Sequence, residues 1–215
     1  MLPKSTRSEQ KSQIGVQTLQ ESRELADNDA VSSADGELEA AIEKAQAGDP
    51  RGFETLFRAL GGSVVGYLRA RSSSDPDGIA NDVFLRAFHT IRTFEGDAQR
   101  FRAWVFTIAH HAAVDDARRL QRRVTETPLA WAPDAAGGDV ETEVLASLAH
   151  ERVHALLSLL TPDQRDVLVL RIVADLSVAD TATILGKRPE AVKALQHRAL
   201  GALRRSISSQ TAVPQ

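Results

Sequence analysis

The chain has 215 residues, 42% hydrophobic and 26% charged, with a formal net charge of −3 and no cysteine. That composition suits a soluble polypeptide of one or two small domains. The missing cysteines exclude disulfides, thiolate zinc sites and cysteine nucleophiles, and fit a reducing, cytoplasmic compartment. No run approaches the roughly 20 apolar residues of a bilayer span, so membrane insertion is not expected. The opening MLPKSTRSEQKSQIG lacks the apolar segment of a secretory signal.

Residues 1–35 are polar and without period, and read as a disordered extension. A helix is predicted over 36–47, with Leu38, Ala41, Ile42 and Ala45 on one face, ended by Gly48. Asp49-Pro50 opens a second helix to about Arg71, with Phe53, Leu56, Phe57, Leu60, Val64, Tyr67 and Leu68 at helical spacing. Asp75-Pro76 opens a third, with Ile79, Val83, Phe84, Ala87, Phe88 and Ile91 inward, and Glu95-Gly96-Asp97 breaks it. The fourth helix, Gln99 to about Arg123, turns Phe101, Trp104, Val105, Ile108 and Ala112 to the core.

Residues 124–140 hold Pro128, Pro133 and Gly137-Gly138 and read as a flexible linker. Helix resumes over 141–160. Thr161-Pro162-Asp163-Gln164 and Ser177-Val178-Ala179-Asp180 then start two short helices, and Pro189 opens the last one after the Gly186 break. In this second module Val167, Leu168, Leu170 and Ile172 supply core, with Val192, Leu195, Ala199 and Leu203 as the apolar face of the last helix. No strand period appears. The expected fold is all-α: two small helical modules, 36–123 and 141–207, joined by an acidic tether and followed by a tail at 208–215.

Charge is unevenly spread. From Arg100 to Arg123 six arginines face two aspartates, a net of +4; from Lys187 to Arg205 six basic residues face Glu190, a net of +5; Val124 to Arg152 between them carries −5. Basic modules around an acidic connector point to nucleic acid despite the acidic total. The C-terminal arrangement has the form of a helix-turn-helix, whose second helix meets base edges in the major groove. Its bland counterpart is a small bundle with a solvated face. The Arg118, Arg119, Arg122 and Arg123 stretch beside Phe101 and Trp104 suits phosphate and unpaired bases, although buried aromatics and a basic helix end also explain it.

No metal is expected. His110 and His111 are adjacent, about 100° apart on a helix, and no further ligand stands at suitable spacing. No phosphate loop, nucleophile elbow or paired acid and base is present, so neither a cofactor nor catalysis is expected.

Taken in order, the motifs resemble a bacterial RNA polymerase sigma factor of the extracytoplasmic-function (ECF) class. The resemblance covers about Leu38 to Ile207. The stretch Asp77 to Phe88 resembles the family's polymerase-binding helix. Phe101 to Ala109 with Val114-Asp115 and Arg118-Arg119 resembles its minus-ten segment. Leu160 to Arg171 and Ala191 to Leu200 resemble its minus-thirty-five module, and the Lys187 to Leu200 run looks most like actinobacterial members.

The resemblance implies sigma region two in the first module and region four in the second. Asp77, Asn81, Asp82, Leu85 and Arg86 would bind core polymerase. Phe94, Arg100, Trp104, His110, His111, Arg118, Arg119, Arg122 and Arg123 would meet the melted minus-ten DNA. Lys187, Arg188, Glu190, Lys193, His197 and Arg198 would read the minus-thirty-five element. The implied partners are core RNA polymerase, through its clamp and flap, promoter DNA and an inhibiting anti-sigma factor. Two other readings compete: a stand-alone helix-turn-helix regulator and a protein-interaction module.

Overall fold

The computed structural model describes residues 33–126, 152–153 and 155–211, with the backbone alone for 123–126 and 209–211. Helix α1 spans 33–46. It is followed by α2 (Pro50–Ala70), α3 (Pro76–Thr90), a 3-10 turn (Ile91–Thr93) and α4 (Ala98–Glu126). The second module begins with α5, helical at 152–153 and 155–158. Then come α6 (Pro162–Leu168), a π turn (Val169–Val173), α7 (Val178–Leu185) and α8 (Pro189–Thr211). No strand occurs among the described residues, so there the fold is all-α as expected.

Local chemistry sets the helix starts. Asp49 accepts from the Arg51 amide ahead of α2, and Asp75 accepts from the Gly78 amide ahead of α3, each followed by Pro at the first helical position. Thr161 and Gln164 form a reciprocal capping box on α6, and Ser177 caps α7. Each such cap is worth about 1 kcal/mol. Gly186 ends α7 in the left-handed region at φ 60°, the conformation glycine adopts without a Cβ penalty.

The first module packs the Leu56, Leu60, Val64, Tyr67 and Leu68 stripe of α2 against Val83, Phe84 and Ala87 of α3 and Phe101, Val105 and Phe106 of α4, all buried. Burying each large apolar side chain contributes roughly 2 kcal/mol. Edge-on rings tie α2 to α3: Phe53 to Phe88 and Phe57 to Phe84, both with centroids 4.8 Å apart. Helices α1 and α2 cross at Gly52, where an added Cβ would lie 2.4 Å from the Ala45 nitrogen. In the second module Leu168 and Leu160 meet Ala199 of α8, while Val167 and Ala182 meet Val192.

Several boundaries differ from the sequence reading. Helix α1 begins at residue 33, inside the segment read as extension, and Asp35 of that turn pairs with Arg102 of α4 at 2.6 Å. Helix α4 continues to Glu126, past the expected linker start, and α8 continues to Thr211. Ile172, expected in the core, is 62% exposed, because the π turn inserts extra backbone and rotates the face. Phe57, also expected on the apolar face of its helix, is 44% exposed. The rest of the extension, linker, resumed helix and tail (1–32, 127–151, 154 and 212–215) lies outside the described residues.

Candidate nucleic-acid interface

The first surface is the outer face of α3. Ala80, Val83, Phe84 and Ala87 are buried on the inner side. The helical period therefore turns Asn81, Asp82, Leu85 and Arg86 outward, and all four are exposed. Leu85 is 57% exposed, a large apolar side chain with a polar surround. Asp77 lies one turn before Asn81 and pairs with Arg69 of α2 at 3.2 Å, both at the surface.

The second surface starts in the loop before α4. The Gln46 amide donates to the carbonyls of Ile91 (3.2 Å) and Phe94 (2.8 Å), fixing the loop against α1. The Phe94 ring stacks on Trp104, with centroids 5.2 Å apart and planes 25° from parallel, and meets Phe101 edge-on at 5.3 Å. Phe101 is fully buried, whereas Phe94 and Trp104 stay half-buried and present a rim. Arg100 at the start of α4 is exposed, and its amide donates to Asp97 at 2.8 Å. A partly open aromatic stack beside an arginine is suited to unpaired bases.

Farther along α4 the two histidines separate. His111 is exposed. His110 turns inward, and its Nδ1 shares a 2.8 Å hydrogen bond with the Tyr67 hydroxyl. Burial, reinforced by the Arg71 and His111 charges, holds His110 down at about 4, so it is neutral near pH 7. Arg118, Arg119 and Arg122 are exposed, and Arg118 lies 3.5 Å from Asp115 in a solvent-exposed pair. The backbone of Arg123 continues the same helix. Asp116 does not share this surface: it is buried and accepts from the amide and hydroxyl of Ser74, at 2.8 and 2.6 Å.

The third surface is α8. Val192 and Ala199 are buried, and Glu190, Lys193 and His197 project from the other side at helical spacing with Arg188 and Arg198 nearby, all exposed. Lys187, in the turn, is half-buried and pairs with Asp163 at 2.7 Å. Gln196 is half-buried and accepts from the Arg171 guanidinium at 3.4 Å. That guanidinium also donates to the Leu176 carbonyl, so Arg171 braces α8 against the π turn.

Sequence periodicity missed one group of residues that joins the modules. Arg71, at the end of α2, pairs with Asp166 of α6, and its guanidinium lies 5.9 Å from the Tyr67 ring centroid. Burial works against the Arg71 charge, but Tyr67 and Asp166 outweigh it and its pKa is raised. Burial also raises the Asp166 carboxyl, against the pull of Arg71. Each of these residues reads locally as an ordinary helical position, and only the fold brings them together.

Among the described residues no group of three or more His, Asp or Glu side chains is placed to hold a metal, and no helix is long and apolar enough to cross a membrane.

Residues 56–123 match the Sigma-70 region 2 family and residues 150–203 match Sigma-70 region 4. The chain is 32% identical to the ECF RNA polymerase sigma factor BldN of Streptomyces coelicolor over 77% of its own length, and spans 64% of that longer protein. It is 32% identical to the ECF RNA polymerase sigma factor SigD of Mycobacterium tuberculosis, over 79% of this chain and 84% of that one. The solved structure of CnrH in complex with the cytosolic domain of CnrY superposes with a TM-score of 0.58 at 25% identity, covering 82% of this chain and 98% of CnrH. A region 2 match carrying the aromatic and arginine surfaces of α4, followed by a region 4 match carrying the helix-turn-helix, places this chain in the ECF sigma factor family of bacterial RNA polymerase.

Proposed function

We propose that this sigma factor docks on core RNA polymerase through the outer face of α3 and then directs initiation at promoters read by α4 and α8. The carrying observation is Leu85, largely exposed between Asn81, Asp82 and Arg86 on a helix whose opposite face is fully packed. An exposed leucine with a polar rim is the pattern of an interface anchor. The clamp of the largest subunit is its expected counterpart, with the flap receiving the second module. Phe94, Arg100 and Trp104 would hold unpaired minus-ten bases, His111 and the Arg118 to Arg123 stretch would meet phosphates, and Lys187, Arg188, Glu190, Lys193, His197 and Arg198 would lie along the minus-thirty-five element. His110 would act by positioning α4, since its Nδ1 is already committed to Tyr67. The factor would catalyse nothing itself and would work in the cytoplasm.

Co-elution with sigma-free core polymerase on a sizing column tests the docking step. The wild-type chain should form a stoichiometric complex, and Leu85→Glu, a change at an exposed position, should stay folded and lose at least tenfold in affinity. Failure of the wild type to co-elute would overturn the reading. A stand-alone regulator is not favoured, because it has no use for a region 2 module.

An inhibiting anti-sigma partner would add control by masking these surfaces. The CnrH structure includes the cytosolic domain of a second protein, CnrY, and a partner of that kind fits the exposed faces of both modules here. A stoichiometric inhibitor of polymerase binding should be recoverable from lysate.

A further inference from the structure

We propose that Arg171 is a positioning residue for promoter reading: its guanidinium holds α8 in the rotation from which Glu190, Lys193 and His197 meet base edges, and does not itself touch DNA. The inference rests on the reading of α8 as the promoter-facing helix and deepens it.

Three elements converge on this one side chain. Arg171 sits in the π turn, and its Nη1 donates to the Leu176 carbonyl at the entry to α7. Its Nε donates to the Gln196 side-chain oxygen of α8 at 3.4 Å. A guanidinium is a rigid planar fork, so it fixes two acceptors in one plane. The Leu176 end needs holding. Asp175, just before it, turns the chain at φ 51°, in the left-handed region that residues other than glycine rarely occupy. Ser177, just after it, caps α7. Arg171 therefore ties the start of the first helix of the helix-turn-helix to the middle of the second.

Gln196 is the second clue. It comes four residues after Val192 and three before Ala199, both fully buried. Helical spacing puts it on the inner stripe of α8, where apolar residues are the rule. A half-buried amide there needs a partner, and Arg171 supplies it. Packing of Val192 and Ala199 sets how closely α8 approaches its neighbours. Apolar contacts are not directional, so they leave rotation about the helix axis loosely fixed. The bond at Gln196 is directional and fixes it. A rotation of about 10° moves a side-chain tip on the helix surface by about 1 Å, enough to spoil a base-edge hydrogen bond. At the turn before α8 the Lys187 to Asp163 pair, at 2.7 Å, anchors the other end of the reading stretch to α6.

Variants of the full chain, bound to core polymerase, test this. The readout is preference: the ratio of affinities for promoter DNA carrying the upstream block that the chain selects and for the same DNA with that block scrambled. Arg171→Met and Arg171→Lys should each lower the preference about tenfold, the lysine because it keeps the charge but not the fork. Neither should change binding to core polymerase or the slope of log affinity against log salt. Gln196→Leu cuts only the α8 contact and suits the apolar stripe, so it keeps the test available should Arg171→Met fail to fold in a thermal melt. It should lower the preference about threefold, and combining it with Arg171→Met should add little, because both act through one bond. A salt slope lowered by about 1 in Arg171→Met would make Arg171 a phosphate contact and overturn the proposal. Full preference in folded Gln196→Leu would overturn it as well. A wild-type chain with no preference for any upstream block would instead overturn the reading of α8 on which it rests.

Discussion

The Tyr67 hydroxyl of α2 and the His110 Nδ1 of α4 lie 2.8 Å apart, and Tyr67 is completely buried. This contact links the helix that carries the aromatic and arginine surfaces to the helix whose end pairs with the second module. Beside this contact His110 is neutral near pH 7, because burial, then the Arg71 and His111 charges, holds its pKa down at about 4.

A pH dependence follows. The unfolded chain protonates His110 near its ordinary value of about 6.5, whereas the folded chain resists until about 4. Between these values the unfolded state binds more protons, so stability is full above about pH 6.5 and falls as pH drops towards 4. Asp166 works the other way, because its raised pKa favours the protonated carboxyl in the folded state. Comparison with His110→Gln isolates the histidine. Wild type should lose on the order of 1 kcal/mol more than the variant between pH 7 and 5, a figure reduced for the half-exposed ring. Urea unfolding at both pH values measures it, and parallel losses would show that His110 does not titrate as described.

Removing one side of the buried pair should be costly. Asp166→Ala leaves the Arg71 guanidinium buried without its carboxylate and should destabilise the chain by about 3 kcal/mol. Arg71→Met combined with Asp166→Leu should recover most of that loss, since no buried charge is left alone. Denaturant melts of the three chains decide the matter; a double variant as weak as the single one would mean that packing, not charge, is at stake.

The arginines of α4 should show themselves through salt. Replacing both Arg118 and Arg119 with Ala should weaken promoter complexes and lower the slope of log affinity against log salt by about 1 to 2. Both side chains are exposed, so folding should be unaffected. An unchanged slope would remove this stretch of α4 from the DNA path.

The legible parts of the sequence were the local ones. Asp49-Pro50, Asp75-Pro76, Thr161 to Gln164 and Ser177 announce helix starts because a cap is a contact within a few residues. The outward stripe of α3 was legible for the same reason, as a helical period. The π turn was not, because a periodic pattern cannot register an inserted residue, and Ile172 was misplaced with it. Asp35 to Arg102 and Arg71 to Asp166 were also hidden, since partners 67 and 95 residues apart leave no trace in spacing. His110 shows the consequence for function: its residue type suits a phosphate contact, while its surroundings commit it to Tyr67.

The most direct test of the central claim is transcription from a fragmented genomic library by core polymerase with and without this chain. The account predicts chain-dependent start sites that share two upstream sequence blocks, with Lys193→Ala impairing use of the farther block while leaving polymerase binding intact. Start sites that are the same with and without the chain, in a sample that binds core polymerase, would contradict it.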